Sequence, residues 1–300
     1  MRIVEYSLAM RWLRLLRPHH WAKNALLGVP YLTAQAWQRP GAALELGLAM
    51  VAFSLVASAT YILNDIADVA HDRAHASKRD RPLAAGTVRP AAALALAAVL
   101  GTTAITLAWR VGLAFTTVLV AYVALTTLYT RALKRRALLD VLALGALWVL
   151  RLVAGAAAIG VALSVWLLSF GAFLFLSLSL VKRCAELHAA ATPPGEQLPG
   201  RGYRGEDLQM LQAWGIATGA VAVLVLALFV DSSSAQLRYA HPALLWLVCP
   251  CLWFWLGRLW LKTGRNEMHH DPLAFSMRDP ASWATLAAIA AIWVAAVVRT

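Results

Sequence analysis

The sequence predicts an all-α, polytopic membrane protein with nine transmembrane helices. Three observations predict it. Only 14% of the 300 residues are charged while 61% are hydrophobic, and mean hydropathy is +0.64; a soluble domain carries about 25% charged residues. Apolar runs recur along the chain at the roughly 20-residue length that a bilayer core requires. The basic residues then alternate between the ends of those runs, as the positive-inside rule demands. The net charge of +12 forms no single basic face or tail, so no nucleic-acid partner is expected.

The runs lie at about 22–38, 41–63, 90–109, 112–130, 137–159, 163–184, 208–230, 241–261 and 281–298. The first is the shortest and is interrupted by Pro30. Nine spans place the termini on opposite sides. Of the 27 Lys and Arg residues, 22 then fall on the N-terminal side, with Arg39, Arg110, Arg238 and Arg299 opposite and Arg151 inside the fifth span. The asymmetry predicts an inner-membrane protein with its N-terminus cytoplasmic and its C-terminus outside. All carboxylates except Glu45 and Asp231 share the cytoplasmic face. A face rich in both signs suits metal and phosphate chemistry. No repeat or linker interrupts the pattern, so residues 1–300 read as a single transmembrane domain. Cys184, Cys249 and Cys251 show no disulfide or zinc spacing. The basic, weakly apolar N-terminus does not read as a signal peptide.

The strongest chemical signal ends the second span: Asn64-Asp65-Ile66-Ala67-Asp68-Val69-Ala70-His71-Asp72. On a continuous helix Asp65, Asp68 and Asp72 lie within about 60° of one another. Carboxylates grouped at a membrane edge repel one another and are costly to desolvate. A divalent cation removes that conflict, and oxygen-only ligands suit Mg²⁺, which shares its shell with substrate phosphates. Read blandly, the run is a solvated acidic helix end. Arg73, His75, Lys78, Arg79 and Arg81 follow at once. Carboxylates for a metal and cations for uncovered oxygens are what a metal–diphosphate pair needs, although the same cations also serve the positive-inside rule.

These residues resemble the UbiA superfamily of intramembrane prenyltransferases over essentially the whole chain. The resemblance rests on Arg17-Pro18-x-x-Trp21-x-Lys23-Asn24, Asn64-Asp65-x-x-Asp68-x-x-x-Asp72, Arg73-x-His75-x-x-Lys78-Arg79-x-Arg81-Pro82, Ala85-Gly86, and Tyr129 with Lys134. It implies nine helices around a central cavity open to the membrane, with the aspartates holding Mg²⁺ on a diphosphate. One departure stands out. Where aromatic prenyltransferases of the family carry a second DxxxD motif, this chain reads Lys182-Arg183-Cys184-Ala185-Glu186. A phosphate site is expected there in place of a second metal.

With Leu139-Asp140-Val141 and Leu150-Arg151…Ala154-Gly155, the pattern is similar to the decaprenyl-phosphate phosphoribosyltransferase branch. The resemblance implies transfer of 5-phosphoribose from a soluble phosphoribosyl diphosphate to a polyprenyl phosphate, with release of pyrophosphate. Asp65, Asp68 and Asp72 are then the catalytic metal ligands. Lys23, Asn24, Asn64, Arg73, Lys78, Arg79, Tyr129, Lys134, Arg151, Lys182, Arg183 and Glu186 are the candidate substrate contacts. Arg151 lies about 16 Å along a helix from Asp140, deep enough that its charge demands a partner or a function. Aromatic prenyl transfer from a polyprenyl diphosphate is the enzymatic alternative. Lipid or solute transport is the alternative of another class, disfavoured because polar residues cluster at one face without an inverted repeat. Gly200-Arg201-Gly202-Tyr203-Arg204 and the loop from Asn266 through His269-His270-Asp271 to Asp279 read as lids or as ordinary loops. Adjacent histidines are a poor zinc site.

Overall fold

Proline decides how the chain enters the membrane. In the computed structural model, which describes residues 8–74, 79–268 and 271–298, helix α1 (Leu8–Leu16) stops before Pro18. Arg17 turns into the left-handed region at φ 53°. A ten-residue 3-10 stretch, Pro18–Leu27, follows, then α2 (Gly28–Thr33) around Pro30, a left-handed Gln35 and a 3-10 turn at Ala36–Gln38. The first predicted span is therefore a chain of short pieces. Each proline lacks the N–H that a continuous helix would use.

The rest of the predicted layout is present. Two helices follow the broken entry: α3 (Ala42–Ala67) and the short α4 (Val69–Ala74). Next come α5 (Pro90–Val111), α6 (Leu113–Arg131), α7 (Leu139–Ala158) and α8 (Val165–Ala189). The last five are α9 (Leu208–Val230), α10 (Ser233–Arg238), α11 (Val248–Gly264), α12 (Pro272–Ser276) and α13 (Pro280–Val297). Among the described residues eight helices are long and apolar enough to cross a bilayer. No named strand occurs among them, as expected where backbone polar groups must be satisfied within each span.

The chain divides into two compact units, Met1–Arg131 with Leu150–Leu163, and Ala132–Val149 with Ser164–Thr300. In the first unit α3 packs along α5 through small side chains. Ala49, Ala52, Ala57 and Ala59 are buried on α3, and Ala93, Ala97, Ala104 and Ala108 on α5. Small residues let helices approach closely where lipid offers no hydrophobic drive. Gly155 marks the tightest crossing: a Cβ there would sit 2.1 Å from the Leu27 carbonyl oxygen.

In the second unit α8 packs along α9. Gly215 leaves room for the Trp260 indole, whose Nε1 donates to Ser177 Oγ at 3.2 Å. Ser177 in turn donates to the Gly215 carbonyl at 2.7 Å. Asp279 caps α13, accepting from the Ser282 backbone N–H at 2.8 Å and from Arg258 at 2.7 Å. Those partners outweigh the effect of burial and hold its carboxyl below the usual range.

Candidate active site

At the acidic end of α3 the first unit gathers two carboxylates and two guanidinium groups. Asp65 and Asp72 are buried, at 5% and 2% exposure, while Asp68 is half-exposed. The reason lies in the backbone. Helix α3 ends at Ala67, and Asp68 takes φ −97°, ψ 6° before α4 begins at Val69. The single continuous helix face inferred from the sequence is thus kinked at Asp68. Among the described residues, no three His, Cys, Asp or Glu side chains are grouped to hold a metal.

Two arginines organise the pair. Arg17 Nη2 donates to both oxygens of Asp65, at 2.6 and 2.8 Å. Arg81 Nη1 bridges Asp65 Oδ1 at 3.1 Å and Asp72 Oδ2 at 2.7 Å. Arg17 makes its contact from a left-handed backbone immediately before a proline, a conformation that costs about 1–3 kcal/mol and persists only where surroundings enforce it. Among the described residues the buried Asp72 Oδ1 atom meets no hydrogen-bond partner. An orphaned carboxylate oxygen of this kind fits a hard cation. Mg²⁺ is commonly held by one or two carboxylates, its remaining positions going to water and substrate phosphate. Nearby, burial and the charges of Arg17 and Lys23 hold His19 below its usual pKa, so it adds no positive charge at neutral pH.

The other predicted residues of this unit take distinct places. Arg73 is exposed, and its Nε donates to the Ala84 carbonyl at 3.1 Å, tying α4 to the turn after Pro82. Arg79 is exposed, Asn64 and Tyr129 are half-buried, and Lys78 lies outside the described residues, as do His75, His269 and His270. Lys23 is half-buried beside buried Asn24. Asn24 donates to Ser54 Oγ at 2.9 Å and accepts from Arg151 Nε at 3.3 Å. Arg151 also donates to Tyr122 Oη at 3.1 Å and lies over the Phe53 and Tyr122 rings, 5.5 and 5.0 Å from their centroids. The intramembrane arginine is thus lodged among polar and aromatic partners that lower the cost of its charge.

The second unit holds a cluster of similar groups in a different state. Arg183 is fully buried. Its Nη2 lies 2.5 Å from Asp140 Oδ2, and its Nη1 is paired with Glu186. Tyr203 donates to Asp140 Oδ1 at 2.5 Å and accepts from the Leu138 backbone N–H at 2.8 Å. Arg201 Nε reaches Glu186 at 3.2 Å. Burial, the hydrogen bond to Asp140 and that residue's charge push the Tyr203 phenol above its usual range, so it stays a donor. Arg183 and Glu186, expected to face substrate, are engaged with protein groups on both sides. Lys182 is different: it is half-buried, with Nζ 3.4 Å from Asp271 Oδ2. Lys134 is half-exposed in the 3-10 turn Leu133–Arg135.

The sequence places Arg17 and Asp140 within motifs without a role, and Arg81 among the cations that follow the acidic run. It does not mark Tyr122, and it leaves Tyr203 in an ambiguous loop. The Gly202-Tyr203 pair was the available signal. A Cβ at Gly202 would lie 2.5 Å from the Ala137 backbone nitrogen, so glycine permits the approach that brings Tyr203 to Asp140.

A family model described as the UbiA prenyltransferase family matches residues 25–189. The chain belongs to this family. The fold agrees. A structure of digeranylgeranylglyceryl phosphate synthase matches with a TM-score of 0.68 at 15% identity, over 96% of this chain and 98% of that one. A UbiA homologue from Archaeoglobus fulgidus, bound to GPP and Mg²⁺, matches with a TM-score of 0.64 at 15% identity, over 95% and 99%. Among sequence relatives, the uncharacterized protein y4nM of Sinorhizobium fredii is 38% identical over 95% of this chain, which spans only 55% of that protein. Nodulation protein NoeC of Azorhizobium caulinodans is 34% identical over 89% of this chain and 86% of its own length. The decaprenyl-phosphate phosphoribosyltransferase of Mycobacterium tuberculosis is 37% identical over 58% of this chain and 59% of its own. This UbiA-family chain is therefore a multi-span membrane protein of a transferase family.

Proposed function

We propose that this protein is a Mg²⁺-dependent intramembrane transferase that moves 5-phosphoribose from phosphoribosyl diphosphate to a polyprenyl phosphate and releases pyrophosphate. The whole of 1–300 serves as one such domain in the inner membrane, with the N-terminus and the acidic loops cytoplasmic and the C-terminus outside. The observation that carries the choice of reaction is the state of Glu186. It is the one carboxylate left where aromatic prenyltransferases of the family have two, and Arg183 and Arg201 both engage it. Little remains there to hold a second metal. The likeness to decaprenyl-phosphate phosphoribosyltransferase supports the same choice.

Asp65, Asp68 and Asp72 would hold the Mg²⁺, with the bare Asp72 oxygen as a ready ligand. Bound there, the ion supplies Lewis-acid stabilisation of the departing diphosphate. Arg17 and Arg81, released from the carboxylates they now pair, join Lys23, Arg73, Lys78 and Arg79 in neutralising phosphate oxygens. Asn24 and Asn64 add hydrogen bonds that fix the donor's orientation. Arg151 and Tyr129 position the lipid phosphate; Lys134 and Lys182 are further candidate substrate contacts. One of that phosphate's oxygens attacks the anomeric carbon while the carbon–oxygen bond to diphosphate breaks, and the electron pair leaves on pyrophosphate. The nucleophile is already ionised, so no side chain needs to act as general base.

Purified protein supplied with Mg²⁺, phosphoribosyl diphosphate and polyprenyl phosphate should yield phosphoribosylated lipid by mass spectrometry. Product only from a polyprenyl diphosphate and an aromatic acid such as 4-hydroxybenzoate would replace this reading with aromatic prenyl transfer. Lipid movement across vesicles without covalent change would replace it with transport.

A further inference from the structure

Helices α9 and α11 of the second unit stand apart along one side and leave a groove of about 430 Å³. Trp260 forms its floor, wedged against Gly215. Gly219, Gly257 and Gly264 line it. A Cβ at Gly257 or Gly264 would meet no heavy atom within 4 Å, so the space beside α11 is open. Trp253 stands toward the far end and Arg265 at the rim, where α11 ends. Twelve residues of helix separate them, about 18 Å. One leaflet of hydrocarbon is about 15 Å thick, so the groove runs the depth of one leaflet.

Size and charge select the occupant. A helix of that length and about 10 Å diameter needs roughly 1,400 Å³, more than the 980 Å³ of all empty space in and over the groove, so the groove admits a thin chain and not a protein helix. Its walls are apolar except at the rim. The Arg265 side chain is exposed there. The nearest acidic residue in sequence, Glu267, is engaged by Lys262 at 2.8 Å, and Asp279 by Arg258. The rim is left with surplus positive charge. An apolar slot one leaflet deep with a cation at its mouth matches a phospholipid of negative headgroup.

We propose that the α9–α11 groove is a binding site for an anionic glycerophospholipid, one acyl chain lying over Trp260 and the phosphate pairing with Arg265. The site lies within the second unit and uses none of the residues assigned to donor or acceptor binding. It is independent of the transferase reading.

The test is a titration of purified, delipidated protein with dioleoylphosphatidylglycerol and, separately, dioleoylphosphatidylcholine, counting bound lipid by native mass spectrometry. One phosphatidylglycerol should bind more tightly than phosphatidylcholine. Arg265→Gln should weaken it about fivefold. Gly257→Leu should abolish it while the lipid-free melting temperature stays unchanged, with Gly264→Leu as a second way to fill the groove should the first variant fail to insert. Equal binding of both lipids would overturn the proposal, as would retention in both filled variants. Displacement of phosphatidylglycerol by polyprenyl phosphate, one for one, would also overturn it by assigning the groove to a substrate tail.

Discussion

The two charged clusters are built from the same groups and differ in closure. In the first, Arg17 and Arg81 hold Asp65 and Asp72, yet one buried oxygen of Asp72 is left bare and Asp68 stands half-exposed alongside. In the second, Asp140, Arg183, Glu186, Arg201 and Tyr203 engage one another, with Arg183 and Asp140 wholly buried; both Asp140 oxygens are met, by Tyr203 and by the charge of Arg183 Nη2, and the atom without a partner among the described residues is a donor, Arg183 Nε. Buried ion pairs are a poor source of stability but a strong constraint, because removing one partner strands the other's charge. The closed cluster therefore reads as a clamp joining α7, α8 and the loop that carries Tyr203. The open cluster is the one to which we assign the ligand.

Substitutions sharpen or break that contrast. The largest effect is expected at Arg183. Arg183→Ala strands Asp140 in the interior and should cost about 3–5 kcal/mol, read as lost folded protein or a collapsed melting temperature in detergent. The paired change Arg183→Met with Asp140→Leu should recover much of that loss. In the open cluster the pattern reverses: Asp72→Asn should leave melting nearly unchanged and lower turnover by about a hundred- to a thousandfold. Tyr203→Phe should cost about 1–3 kcal/mol, because the Leu138 N–H and Asp140 Oδ1 lose their partner. Its effect should appear in melting before it appears in KM for phosphoribosyl diphosphate.

The smallest effect is expected at Asp279, outside both clusters. Asp279→Ala removes a helix cap and should cost about 1 kcal/mol near neutral pH. The carboxyl's pKa is held low in the fold. Its contribution is therefore complete above the unfolded value of about 3.9 and disappears as pH falls through the lower folded value. The wild type and the variant should converge in stability at the acid end of a pH series.

Hydrophobic run length was enough to read the eight long helices, because a span must be apolar throughout and of bilayer length. It was not enough for the entry segment. There Pro18 and Pro30 break hydrogen bonding, and Arg17 and Gln35 adopt left-handed turns that composition does not signal. The acidic motif was legible as chemistry, but its geometry was not. The kink at Asp68 and the pairing of Asp65 with an arginine 48 positions earlier are tertiary facts. Likewise Asp140 and Tyr203 are separated by 63 positions, and nothing local marks Arg183 as a strut instead of a phosphate ligand. The glycine at position 202 was a visible clue whose meaning depended on the backbone it meets.

Binding of Mn²⁺ as a stand-in for Mg²⁺, followed by electron paramagnetic resonance with and without phosphoribosyl diphosphate, separates the two clusters most directly. Wild type and Tyr203→Phe should retain one diphosphate-dependent Mn²⁺, and Asp72→Asn should lose it. Undiminished binding in Asp72→Asn, or full product formation in excess chelator, would contradict a metal-held diphosphate at the acidic end of α3.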